Sequence, residues 1–125
     1  MSLTYDAGAL IAGGRRQKRV WALHDEAMAV GVSPIVPAVV LAQAWRADPQ
    51  PELSRMLKGC SVKPFDEPAA RSVGSLLGIA GTSDVIDACV ALSAAGSGRA
   101  IVTSDPEDLR ALAEILGVSV PMFVV

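Results

Sequence analysis

Four aspartates in this 125-residue chain have the types and spacing that chemistry requires. Asp6 follows Ser2-Leu3-Thr4-Tyr5, Asp84 and Asp87 lie in Thr82-Ser83-Asp84-Val85-Ile86-Asp87, and Asp105 follows Ile101-Val102-Thr103-Ser104. Asp6 and Asp105 each end a short apolar run that reads as a buried strand, whereas Asp84 and Asp87 open a helical pattern. In an open parallel sheet the C-terminal strand ends converge on one crevice, where ligands bind. Carboxylates gathered there repel one another and lose hydration unless a cation neutralises them. Hard oxygen donors in that number suit Mg²⁺ or Mn²⁺. The chemistry expected is metal-assisted hydrolysis of phosphodiester bonds, with a carboxylate taking the proton of the attacking water. The competing account makes the acids helix caps, which suits Asp84 and Asp105. It suits Asp6 less well, because Ala7-Gly8-Ala9 offers little helix to cap. For the set as a whole, the metal account is preferred.

The elements that must position these acids alternate. Strands are expected at 2–6, 33–36, 61–64, 100–103 and 119–125, the last edge-like because it tolerates Pro121. Between them, a short helical turn over 7–13 precedes a helix over 16–30, whose apolar face is Val20, Leu23, Ala27 and Val30. A third helix starts at Pro37 and runs through Leu41 and Trp45 until Asp48-Pro49-Gln50-Pro51 breaks it. Further helices are expected at 52–58, from 66–68 to about Gly78, after a Ser83 cap, and from Pro106 to about Leu116. Such alternation predicts an α/β fold over one domain, 1–125, with a central, mainly parallel sheet of four to five strands flanked by helices.

Composition narrows the function classes. The chain is 51% hydrophobic, 19% charged and 4% aromatic, which describes a packed globule with an aliphatic core rather than a disordered tail. A mean hydropathy of +0.41 suits a sheet covered on both faces and a further face buried by a partner. The net charge of −2 does not by itself announce a nucleic-acid binder, yet Arg15, Arg16, Lys18 and Arg19 cluster within five residues. Cys60 and Cys89 lack metal-site spacing and read as reduced apolar fillers. No membrane span or signal peptide is legible, so a cytoplasmic protein is expected. His24, the one histidine, reads as exposed or partner-facing, and alone it supports no Ser/His/Asp set. Gly13-Gly14 lacks the lysine of a phosphate-binding loop. Trp21 and Trp45 read as core or dimer packing rather than base-stacking residues.

The chain resembles PIN-domain proteins, and among them the VapC toxins of toxin–antitoxin pairs. The likeness rests on Tyr5-Asp6-Ala7-Gly8-Ala9-Leu10, Pro37 to Arg46, Asp84-Val85-Ile86-Asp87-Ala88-Cys89-Val90-Ala91 and Val102 to Leu109, in that order and strand–helix context. It implies a Mg²⁺- or Mn²⁺-dependent endoribonuclease that cuts RNA, forms a homodimer and is inhibited by a small cognate antitoxin. Carried over by position, Asp6, Asp87 and Asp105 are metal ligands, and Asp84 completes the catalytic acids. Thr103 or Ser104 holds a water, and Asp108 is a more distal acid. Gln43 stands where many relatives have glutamate. It offers a carbonyl oxygen but no charge and no base, which weakens the expected metal affinity.

Arg15, Arg16, Lys18, Arg19 and Arg46 are candidates for gripping the RNA backbone. Basic residues at the start of a helix oppose its dipole, and a functional role would explain that cost. Two alternatives follow. One is a catalytically weak or inactive PIN-like module that binds RNA or protein, because Gln43 replaces the usual acid. The other is a phosphatase or DNA nuclease using the same acids.

Overall fold

The computed structural model describes residues 2–125. Five strands, β1 (Leu3–Tyr5), β2 (Ile35–Pro37), β3 (Ser61–Lys63), β4 (Ala100–Thr103) and β5 (Met122–Val124), alternate with seven helices. These are α1 (Ala7–Gly14), α2 (Lys18–Val30), α3 (Ala38–Ala44), α4 (Pro51–Lys58), α5 (Glu67–Ala80), α6 (Val85–Ala95) and α7 (Pro106–Ile115). The sheet is parallel throughout, in the order β3-β2-β1-β4-β5. Every residue of β1, β2 and β4 is buried. That is why these strands read as unbroken apolar runs rather than alternating ones.

The chain runs outward from β1 to β2 and β3, then crosses back to β4 on the other side of β1. The crossing makes a topological switch point between β1 and β4, with a crevice beyond their C-terminal ends. Register fixes what meets there. Leu3, Thr4 and Tyr5 stand opposite Ala100, Ile101 and Val102. The Asp6 N–H then adds one further bond to the Val102 carbonyl at 3.2 Å.

The core has two parts. The larger joins the central strands to α1, α2, α3 and α4, and the smaller lies among α5, α6 and α7. Helix α6 belongs to both: Val90 and Ala94 enter the first, Ala88, Cys89 and Ala91 the second. A helix apolar on nearly all sides is what the sequence of α6 describes. Among the described residues, no single helix is long and apolar enough to cross a membrane.

Several expectations change. Strand β1 spans 3–5, β2 ends on Pro37, α3 stops at Ala44 before Trp45, and β5 covers only 122–124. Pro37 precedes α3 as its cap instead of occupying its first turn, and Pro121 precedes β5, its carbonyl accepting from Ile101 N–H at 2.9 Å. Helix α5 continues past Gly78 to Ala80, where Gly81 closes it in the left-handed region. Asp84, not Ser83, caps α6.

The inward face of α2 is Val20, His24 and Ala27, while Val30 is 58% exposed. His24 is therefore a buried residue, because it has a partner: its Nδ1 lies 2.8 Å from the Tyr5 hydroxyl. The indole of Trp21 meets it edge-on and donates to the Gly13 carbonyl at 2.9 Å. Burial lowers the pKa of His24, which favours the neutral imidazole in this bond. Cys60 is pushed up to about 12 by burial and Cys89 is raised likewise, and both are free thiols. Trp45 is exposed.

The Tyr5–His24 bond pins the strand that carries Asp6. Tyr5→Phe should lower the unfolding free energy by about 1–3 kcal/mol, because it leaves a buried ring nitrogen unpaired. Urea denaturation measures this, and a change below about 0.5 kcal/mol would remove the bond from the account of stability.

Candidate active site

Asp6 ends β1 and caps α1. Its Oδ1 accepts the Ala9 N–H at 2.9 Å, and its Oδ2 accepts the Thr103 hydroxyl. Thr103 is fully buried at the end of β4, and its Oγ1 accepts the Asp105 N–H at 3.0 Å. One hydroxyl thus ties the acid after β1 to the backbone at the acid after β4. The cap at Asp6 corrects the expectation that helix 7–13 was too slight to need one, since α1 runs to eight residues. Asp105 is the reverse case: it stands at the cap position of α7, yet its side chain makes no capping bond. Its carboxylate is exposed.

Asp84 caps α6 through Oδ1, which accepts the Asp87 N–H at 3.0 Å. Asp84, Asp87 and Asp108 line one hollow of about 190 Å³ between the start of α6 and α7. Electrostatics connect this trio to Asp6. Burial raises the Asp87 pKa to about 6, with Asp84, Asp108 and Asp6 adding to the shift. Burial also raises Asp6, opposed by its bonds to Thr103 and to the Ala9 and Gly8 N–H groups, while Asp105 adds repulsion. Asp105, Asp6, Asp87, Asp84 and Asp108 therefore form a chain of mutually repelling acids, and no basic group contributes to the shift of either Asp6 or Asp87. In type these oxygen donors fit a hard divalent cation. Among the described residues, no three His, Cys, Asp or Glu side chains stand close enough to share one ion as they are placed.

The remaining candidates divide. Ser104 packs against Gly8, where any side chain would collide with its Oγ. Gly8 is thus a site residue that sequence reasoning passed over. Its signal was a glycine two positions after an acid at a strand–helix junction, where backbones approach closely. Gln43 is exposed and lines a different cleft, of about 440 Å³, together with Arg15, Arg16 and Arg46. None of the four catalytic candidates lines that cleft. Lys18 and Arg19, at the start of α2, are exposed and lie outside it too. Arg15 caps the C-terminus of α1, so it favours that helix dipole, contrary to the expectation that the whole basic run opens a helix. Among the described residues Arg46 forms no ion pair, and its Nη1 donates to the carbonyls of Gln43 at 2.8 Å and Trp45 at 2.6 Å.

No protein-family model matches this chain, and no curated protein matches it in sequence. Solved structures do match in fold. A chain in the crystal structure of VapBC2 from Rickettsia felis, bound to a DNA fragment from its promoter, superposes with a TM-score of 0.71 at 14% identity, covering 100% of this chain and 99% of that one. A chain in the structure of FitAB bound to an IR36 DNA fragment gives 0.63 at 20% identity, covering 98% and 94%. PAE2754 from Pyrobaculum aerophilum gives 0.61 at 21% identity, covering 94% and 100%. The α/β architecture with a five-stranded parallel sheet flanked by helices is thus PIN-like, as the resemblance implied.

Burial of Asp87, together with repulsion from its neighbouring acids, has a consequence for stability. Its folded pKa of about 6 lies above the ordinary 3.8, so the folded state holds this proton more tightly than the unfolded chain does. The destabilisation is absent below pH 3.8, grows between there and about 6, and is complete above. Asp87→Asn should therefore raise Tm by about 3 °C at pH 7.5, with the gain shrinking toward zero at pH 4. An equal shift at both pH values would show that charge is not the cause.

Proposed function

We propose that this protein is a Mg²⁺- or Mn²⁺-dependent endoribonuclease of the VapC kind, the toxin of a toxin–antitoxin pair. The observation that carries the reading is the placing of acids at the β1–β4 switch point: Thr103 joins Asp6 to the backbone of Asp105, and Asp84, Asp87 and Asp108 line one hollow, where burial first and the neighbouring acids second raise the pKa of Asp87. Such a collection is stabilised by a bound cation and is hard to explain as surface charge. Asp6, Asp87 and Asp105 would hold the ion. When bound, it supplies charge neutralisation at a phosphate oxygen and a lower pKa for the attacking water. Thr103 holds Asp6 in place through its hydroxyl. Asp84 or Asp108, beside Asp87, accepts the proton that water releases.

The partners in this reading are an RNA substrate, a second copy of the chain and a small cognate antitoxin. Support for the antitoxin comes from likeness in fold to chains of VapBC2 and FitAB, each solved on DNA. A second reading, a PIN-like module that binds without cutting, is favoured by one observation. No three candidate ligands converge as placed, among the described residues. Gln43 adds no acid to them.

Titration of the protein with Mn²⁺ and Mg²⁺, following heat of binding and cleavage of a mixed RNA in parallel, separates the two. The nuclease reading expects both signals. Asp6→Asn and Asp87→Asn should each lower cleavage about 100-fold or more while the circular dichroism spectrum is unchanged. Cleavage that survives either substitution would remove that residue from the site. RNA binding without cleavage under both ions would favour the module.

A further inference from the structure

The cleft framed by α1, α3 and α4 is lined by the C-terminal part of α1, includes none of Asp6, Asp84, Asp87 or Asp105, and belongs to no step described above. Its volume of about 440 Å³ falls in the range of roughly 300–1,000 Å³ that holds small ligands. Leu10, Ile11 and Leu53 give it an apolar wall, and Arg15, Arg16 and Arg46 give it charge. Glu52 offsets only part of this, since it also binds Arg55 at 2.8 Å while standing 3.5 Å from Arg16. Arg16 has a φ of 62°, and it is the one non-glycine among the described residues in the left-handed region, a conformation that most side chains avoid. Arg46 is held against the end of α3 by two carbonyls. Beside it, the Gln43 side-chain amide has no hydrogen-bond partner among the described residues, so both its donor and its acceptor are available.

We propose that this cleft receives one unpaired ribonucleotide of the substrate next to the cutting site. Arg15 and Arg16 contact its phosphate, and the Gln43 amide reads its base. The inference rests on the ribonuclease reading and adds to it the place where a base is chosen. Helix α1 connects the two regions. Asp6 caps its N-terminus, and Leu10 to Arg15 follow at about 6–14 Å for a rise of 1.5 Å per residue. That is a separation of one or two nucleotides. An amide can pair with the mixed donor and acceptor edge of a splayed base, while an apolar wall accepts its ring face. A purely acidic peptide would use the arginines but leave the apolar wall without a role.

The test uses the full-length Asp87→Asn protein, which keeps the RNA intact, and fluorescent hexamers rA6, rU6 and rC6 followed by anisotropy from 50 to 300 mM salt. One hexamer should bind about tenfold tighter than the others. Adding Gln43→Ala should level that preference. Adding Arg15→Ala or Arg16→Ala should weaken all three hexamers alike and reduce the salt slope by about one each. Gln43→Glu should weaken every hexamer. A preference that survives Gln43→Ala would overturn the assignment of Gln43, and polyglutamate competing as well as RNA at equal charge would overturn the base-reading cleft. Equal affinity for the matching deoxyhexamer would overturn the ribonucleotide assignment. If no hexamer binds, with or without Mg²⁺, the ribonuclease reading itself falls, an outcome distinct from the others.

Discussion

Pairing of β1 with β4 is the constraint on which the site depends. It places Tyr5 opposite Val102 and so sets Asp6 beside Thr103. A slip of one residue would turn Asp6 to the opposite face of the sheet and break the hydroxyl bridge that reaches Asp105. The arrangement collects like charges, which is unfavourable in a free protein. It persists because the surroundings determine it: buried apolar strands fix the register, Tyr5 is bound to His24 beneath, and Asp6 and Asp84 each accept a backbone N–H at a helix start.

The caps have a double role. A carboxylate at a helix N-terminus is stabilised by the helix dipole and the free N–H groups, which partly compensates the repulsion among the acids. Asp105 lacks that compensation and stays exposed. Hydrogen bonds therefore hold Asp6 and Asp84, while Asp105 keeps its oxygens free. Close packing of Gly8 on Ser104 brings the start of α1 down onto the end of β4. The acids before and after these elements meet as a result.

Helix α1 also organises charge on a longer scale. Its N-terminus carries Asp6 and its C-terminus Arg15, each the sign that the helix dipole prefers. Acids and arginines thus lie at opposite ends of an eight-residue helix, close enough for one extended ligand to touch both. A polyanion would be drawn to the arginine end by simple attraction. The acidic end would repel the same polyanion, so the two ends of one helix differ in what they attract.

The sequence by itself determined the order of elements, the parallel sheet and the short list of acids. Those depend on local signals: apolar runs for strands buried on both faces, Pro and Gly at boundaries, and acids at strand ends. Which acids would cap and which would stay free was not legible, because a cap depends on the length and angle of the helix that follows. Asp6 and Asp105 exchanged roles for that reason. His24 looked exposed among charged neighbours until the fold set Tyr5 against it. Gln43, read along the chain as a substitute for a missing acid, came to lie with Arg15, Arg16 and Arg46. That grouping spans three elements, and only their packing could decide it.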